Sequence, residues 1–219
     1  MIEAFIFDMD GTLVDNMHYH DLAWQATLKD FGIDLPLDAV MKKAYGINVE
    51  ALERFFGFAL SPEMVADFSL KKENLYRQIY TPYLKPINGM IEFLEAARLE
   101  NIPMAIATGS AWRNTNLVVD TINIRHYFKT IITAEQVTHG KPHPESFLEA
   151  ARRINVSPKN CMVFEDVPNG ARAAFNAGMD CTFITTTYPA FLAGSISSVV
   201  HCANDYTKLS ISEIRSSSN

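Results

Sequence analysis

The sequence predicts an α/β protein: a doubly wound parallel sheet with a block of helices inserted after its first strand. Three observations predict it. The apolar run Ala4 to Phe7 has the length of a buried strand and stands at the start of the chain. The following segment carries apolar residues at helical spacing and shows no strand pattern. From Pro86 onward, short apolar runs alternate with amphipathic stretches, which implies parallel strands covered by helices on both faces. The first strand therefore belongs with the later unit. Residues 1–15 and 84–219 are expected to form the α/β core, and residues 16–83 the helical insertion.

In the insertion, Trp24, Leu28 and Phe31 fall at i, i+4, i+7, and Gly32 supplies a stop. Pro36 opens a second helix through Val40 and Tyr45, and Asn48 caps a third that carries Leu52, Phe55 and Phe56. Ser61-Pro62 is a cap followed by a first-turn proline, and it starts a long helix with Met64, Val65, Phe68, Leu75, Tyr76 and Ile79. In the core, strands are expected over 103–108, 129–133, 161–164, 181–185 and, more weakly, 199–202. Helices are expected over 90–101, 113–122, 144–154 and 169–177, with a frayed tail from Ser210 to Asn219.

At 48% hydrophobic and 20% charged, the 219 residues can build a core without staples. The net charge of −6, without a basic run, argues against nucleic acid as a partner. No apolar run approaches the roughly 18 residues that span a membrane. Met1 leads straight into the first strand, so no signal peptide is expected and the location is cytoplasmic. Cys161, Cys181 and Cys202 are odd in number, lack metal-ligand spacing and lie near apolar segments, so buried free thiols are expected. A monomer or weak dimer is expected.

The chemistry gathers where strands end. Asp8 closes the first strand, and Asp10 follows before Gly11-Thr12 breaks the pattern. Two carboxylates two residues apart point to one side of a strand, and burying them together is costly without a cation or shared proton. That points to a magnesium-assisted nucleophile with an acid/base partner. In an open parallel sheet, ligands bind beyond the carboxyl ends of the strands. Thr108-Gly109-Ser110 follows the second core strand and suits either a phosphate group or an ordinary helix cap. Lys141, between Gly140 and Pro142, is a flexible cation able to neutralise a phosphoryl oxygen. His139 and His143 flank it as bystanders. Glu165-Asp166 ends the fourth core strand with hard oxygen ligands of the kind Mg²⁺ requires, and Asn169 stands close behind.

Asp8-Met9-Asp10-Gly11-Thr12-Leu13, Thr108, Gly140-Lys141-Pro142 and Glu165-Asp166 stand in the order of the four motifs of the haloacid dehalogenase-like superfamily, which the whole chain resembles. The resemblance implies a Rossmann-like core with an inserted α-helical cap whose motion opens and closes the site. It implies that Asp8 attacks phosphorus to form an aspartyl-phosphate, with Asp10 as acid and base. It assigns phosphate binding to Thr108, Gly109, Ser110 and Lys141. Magnesium falls to the Asp8 carboxylate, the Asp10 carbonyl and Asp166, with Glu165 either a ligand or a support. Dehalogenases need neither Asp10 nor the metal, so phosphoryl transfer is favoured. A non-catalytic relative would be expected to lack one of Asp8, Asp10, Lys141 or Asp166.

Within the superfamily the insert resembles the beta-phosphoglucomutase and phosphoglycolate-phosphatase-like branch. His18-Tyr19-His20 with Trp24 is similar to the mutase cap, where the residue matching His20 links cap closure to acid/base action. Two positions depart from the mutase. Val49 stands where a phosphate-gripping Arg is expected, and Glu73 where a Lys is expected. Lys71 or Lys72 compensates only if the helix register differs. The expectation is a Mg²⁺-dependent phosphatase of small phosphorylated metabolites, sugar phosphates first, with beta-phosphoglucomutase as the alternative.

Overall fold

The computed structural model describes residues 1–216. The chain divides into two compact units, Met1–Asp15 with Lys85–Asn219, and Asn16–Leu84.

The first unit is built on six parallel strands: β1 (Ala4–Phe7), β2 (Met104–Ala107), β3 (Thr130–Ile132), β4 (Cys161–Glu165), β5 (Asp180–Ile184) and β6 (Val199–Ala203). Their order is β3-β2-β1-β4-β5-β6. The chain winds outward from β1 in one direction, then outward from β4 in the other, so the order reverses between these two strands. The register sets Phe7 opposite Ile106 on one side and Phe164 on the other. Successive residues of β1 face opposite sides. Ala4 and Ile6 join Ala105, Val163, Phe147, Ala150 and Ala174 in one core. Phe5 and Phe7 face the other way, where Phe7 stacks on Phe164 at 4.4 Å and Phe5 on Phe93 at 5.8 Å. Helices α7 (Glu145–Ile154) and α8 (Pro168–Asn176) therefore cover the first face, and α5 (Met90–Leu99) the second. The second helix of this unit, α6 (Trp112–Thr121), follows β2.

Several edges differ from expectation. β2 and β3 are shorter than expected, yet the Thr108 and Lys129 amides still donate to Ile132 and Met104 at 3.0 and 2.9 Å. The expected frayed tail is instead α9 (Ile211–Ser216), because Ile211 and Ile214 are buried and hold it against α5. Residues 217–219 of that tail lie outside the described residues. Cys161 and Cys181 are buried free thiols, but Cys202 is exposed because β6 is the edge strand.

The second unit comprises α1 (Met17–Asp30), α2 (Leu37–Met41), α3 (Asn48–Phe56) and α4 (Pro62–Tyr80). Trp24, Leu28, Val40, Leu52 and Phe68 close its core. Ser61 caps α4, its Oγ accepting from the Met64 amide at 3.3 Å. The second helix ends at Met41, short of Tyr45, which lies under the Arg54 guanidinium instead. Asn48 does not cap α3. It is the first helical residue, and its side chain donates to Glu73 Oε1 at 3.0 Å. Among the described residues no helix is long and apolar enough to cross a membrane.

Candidate active site

The loops that follow β1, β2, β3 and β4 meet at the carboxyl edge of the sheet, around the reversal of strand order. Asp8 extends the β1–β4 ladder by one bond, its amide donating to Phe164 at 2.9 Å. The chain then turns through Gly11, whose φ is +76°. A Cβ there would lie 2.0 Å from Asp166 Oδ2, so only glycine allows the turn to pass so close. Thr12, next in the turn, donates to Asp166 Oδ1 at 3.1 Å and ties the first loop to the fourth.

Lys141 is the hub. Its ammonium donates to Asp8 Oδ1 at 2.6 Å and to Glu165 Oε1 at 2.7 Å. The other Glu165 oxygen accepts from the Asp166 and Val167 amides, both at 2.9 Å. Glu165 is wholly buried, and a Cβ at Gly170 would sit 1.8 Å from its Oε1. Both Glu165 oxygens are thus committed to Lys141 and the backbone. Of the four residues assigned to the metal, Glu165 is placed to hold Lys141 rather than to offer a free ligand atom.

Asp8, Glu165 and Asp166 are all buried, and Lys141 pairs with the first two. Burial pushes the Asp8 carboxyl up, Lys141 pulls it down, Glu165 and Asp10 push it up again, and the balance stands at about 8. Asp166 is driven well above the ordinary carboxylate range by burial first, then by Glu165 and Asp8. Burial would depress the Lys141 ammonium, but the charges of Asp8 and Glu165 hold it above its usual value. Asp166 Oδ2 is buried without a hydrogen-bond partner. An orphaned carboxylate oxygen within an excess of buried acid fits a hard divalent cation. The side chains of Asp8, Asp10, Glu165 and Asp166 are not preset as a closed cage. Among the described residues, the three whose ligand atoms converge within 4.8 Å of one another are His139, His143 and Glu145.

The residues expected to bind phosphate are partly engaged elsewhere. Ser110 Oγ donates to Asp10 Oδ2, and the Ser110 amide donates to Thr108 Oγ1 at 3.0 Å. Thr108 keeps its hydroxyl proton to donate, and Gly109 is exposed beside it. Asn169 Oδ1 accepts from Arg172 at 3.1 Å. Thr12 and Gly170 have no role assigned from the sequence, yet both touch the acids here. Thr12 lies inside the first motif, and Gly170 follows Pro168-Asn169, so both signals were present.

His20 belongs to the helical unit. It is buried on α1, stacked on the Tyr76 ring at 3.7 Å, with Nδ1 3.1 Å from Lys72 Nζ. Lys72 is itself buried and donates to Glu73 Oε1 at 2.9 Å.

The sequence model of the haloacid dehalogenase-like hydrolases matches residues 2–178. The chain is 31% identical to a fructose-1-phosphate phosphatase of Escherichia coli over 181 residues, covering 81% of this chain and 93% of that protein. It is 33% identical to a beta-phosphoglucomutase of Bacillus subtilis over 190 residues, covering 81% of each. A solved structure of a family IA, variant 3 hydrolase from Entamoeba histolytica superposes with a TM-score of 0.89 at 28% identity, covering 99% of both chains. With the strand order, the lysine-centred acids and a match over most of its length, the chain belongs to the haloacid dehalogenase-like hydrolases and is an enzyme of the phosphatase type.

Proposed function

We propose that this enzyme is a Mg²⁺-dependent phosphatase of small phosphorylated metabolites, with sugar phosphates as its substrates and an aspartyl-phosphate as its intermediate. The observation that carries this reading is Lys141 bound to both Asp8 and Glu165 inside a buried excess of acid. An Asp8 oxygen attacks phosphorus, and the bond to the alcohol oxygen breaks as Asp10 gives that oxygen its proton. Water then attacks the same phosphorus, yields a proton to Asp10, and releases Asp8 and inorganic phosphate. Ser110 orients the Asp10 carboxyl, while Glu165 fixes Lys141 beside the nucleophile. The Asp8 and Asp166 carboxylates and the Asp10 carbonyl would hold the magnesium, which offsets repulsion between Asp8 and an anionic ester. Residues 1–15 and 84–219 serve as the catalytic core, and residues 16–83 as the cap that selects the acceptor.

The alternative is beta-phosphoglucomutase, favoured by the 33% identity to the Bacillus subtilis enzyme of that name. A mutase must grip a bisphosphate at both ends. Val49 replaces the expected Arg, and Lys72 is buried between Glu73 and His20. Lys71 is paired with Asp67 at 3.0 Å, and Arg54 is folded onto Tyr45. These pairings favour the phosphatase.

Phosphorus NMR decides between them. β-Glucose 1-phosphate is incubated with the protein, Mg²⁺ and a trace of the 1,6-bisphosphate. Growth of the inorganic phosphate signal is the expected result. Conversion to glucose 6-phosphate would make the enzyme a mutase. A panel of sugar monophosphates, fructose 1-phosphate among them, then ranks substrates by released phosphate.

A further inference from the structure

Lys141 is carried on a loop between two histidines that the catalytic chemistry leaves unused. Both turn to Glu145, the first residue of α7. Glu145 Oε1 accepts from the Thr138 amide at 2.9 Å, and Oε2 accepts from the His139 amide at 3.0 Å. His139 Nδ1 lies 3.3 Å and His143 Nδ1 3.8 Å from that same Oε2. The two imidazoles sit 4.6 Å apart, inclined by 34°. One ligand atom from each of the three side chains lies within 4.8 Å of the others.

We propose that His139, His143 and Glu145 form a second metal site, for one divalent cation of the zinc class, apart from the acids around Asp8. Two imidazole nitrogens and one carboxylate oxygen suit Zn²⁺ or Co²⁺, whereas Mg²⁺ prefers oxygen ligands throughout. Tetrahedral zinc with ligands at about 2.0–2.1 Å sets them about 3.4 Å apart. The His139 contact to Oε2 already meets that spacing, and His143 needs to approach by a few tenths of an ångström. The imidazoles are 59% and 50% exposed, so rotation of either ring is unhindered by packing. Glu145 is held by two backbone amides, which orients the carboxylate in advance. Water completes the fourth position. A cation here ties the two ends of the segment 139–145 together and braces the loop that presents Lys141.

The test uses the full chain in a Cys202→Ser background, which removes the exposed thiol, with Mg²⁺ saturating. Calorimetric titration with Zn²⁺ near neutral pH should show one equivalent bound. Asp166→Asn should keep that equivalent. His139→Ala and His143→Ala should each weaken it by about tenfold or more, and the double variant should lose it. Co²⁺ should give visible absorption bands in the parent and none in the double variant. The two histidines are half exposed, so the metal-free melting temperature should not change, and the Zn²⁺-dependent rise in it should vanish. No Zn²⁺ binding over Mg²⁺, or binding unchanged in the double variant, overturns the proposal. So does binding lost in Asp166→Asn alone, which would place the Zn²⁺ among the catalytic acids. None of these results bears on the phosphatase reading, which phosphate release tests separately.

Discussion

Both units of this protein bury charge, and they settle it in opposite ways. In the α/β unit, Lys141 pairs with Asp8 and Glu165 while Asp166 is buried nearby with no cation of its own, and acid remains in excess. Burial therefore lifts Asp8 to about 8. In the helical unit, Glu73 is buried beside Lys72 at 2.9 Å, with Asn48 as a further donor. Burial would raise Glu73 too, but Lys72, His20 and these hydrogen bonds overcome it and bring it to about 2. A buried acid that finds its counter-charge is part of the architecture. A buried acid left in excess is held by the fold at a cost, which is the electrostatic character of a candidate functional site.

The largest expected effect breaks the comparison on the catalytic side. Asp8→Asn should lower turnover of a phosphate ester by about 10⁴-fold or more. It should leave the melting temperature unchanged or higher, because it relieves buried like charge. Substantial residual turnover would remove Asp8 from the nucleophile's role.

Next comes the helical side. Lys72→Met leaves Glu73 buried without its cation and should cost roughly 3–5 kcal/mol in denaturant unfolding. The double variant with Glu73→Met should recover much of that loss. Equal loss in the single and double variants would show that the pair is not the unit of stability.

Magnesium should separate the two regions more gently. Saturation at about 100 times its dissociation constant should stabilise the parent by about 2.7 kcal/mol. Asp166→Asn should remove most of this shift, and Lys72→Met none of it. An equal magnesium shift in the parent and in Asp166→Asn would take Asp166 out of the metal's ligands.

The smallest effect is the pH response of the helical unit. Glu73 falls from 4.5 to about 2 on folding, so its stabilisation is present above about pH 4.5 and is lost toward pH 2. Asp21 is raised by burial, against the pull of His20, His18 and Lys72, from 3.8 to about 6. The folded state then holds the Asp21 proton longer than the unfolded one, so stability declines as pH rises from about 4 to 6. Asp21→Asn should lessen that decline, leaving the part that Asp8 contributes over the same range, and keep the acid limb in place. A decline of unchanged slope in this variant would assign it to another group.

Much of this arrangement was legible in the chain. Alternation of apolar runs and helical stretches is a local pattern, and it carried the parallel sheet and the helical insertion. Ser61-Pro62 announced α4 because a cap and a first-turn proline act within one turn. Boundaries were less legible where distant partners decide them. Asn48 looked like a cap until Glu73, 25 residues on, claimed its side chain. The tail looked frayed because its apolar residues are few, yet Ile211 and Ile214 find a buried place beside α5.

The same division runs through the chemistry. The sequence by itself determined which groups are available: Asp8 and Asp10 at one strand end, Lys141 between glycine and proline, Glu165 and Asp166 at another strand end. These follow from residue type and short spacing, which act over a few bonds. Only the tertiary structure decided how the groups divide their work. Both Glu165 oxygens are engaged by Lys141, 24 residues before it, and by two backbone amides, which favours the supporting one of its two expected roles. Ser110 turned to Asp10 across 100 residues, and Lys72 was withdrawn into the helical unit by His20, 52 residues away. A hydrogen bond has a reach of about 3 Å and is indifferent to separation along the chain. Which donor meets which acceptor is therefore settled when the strands and helices pack.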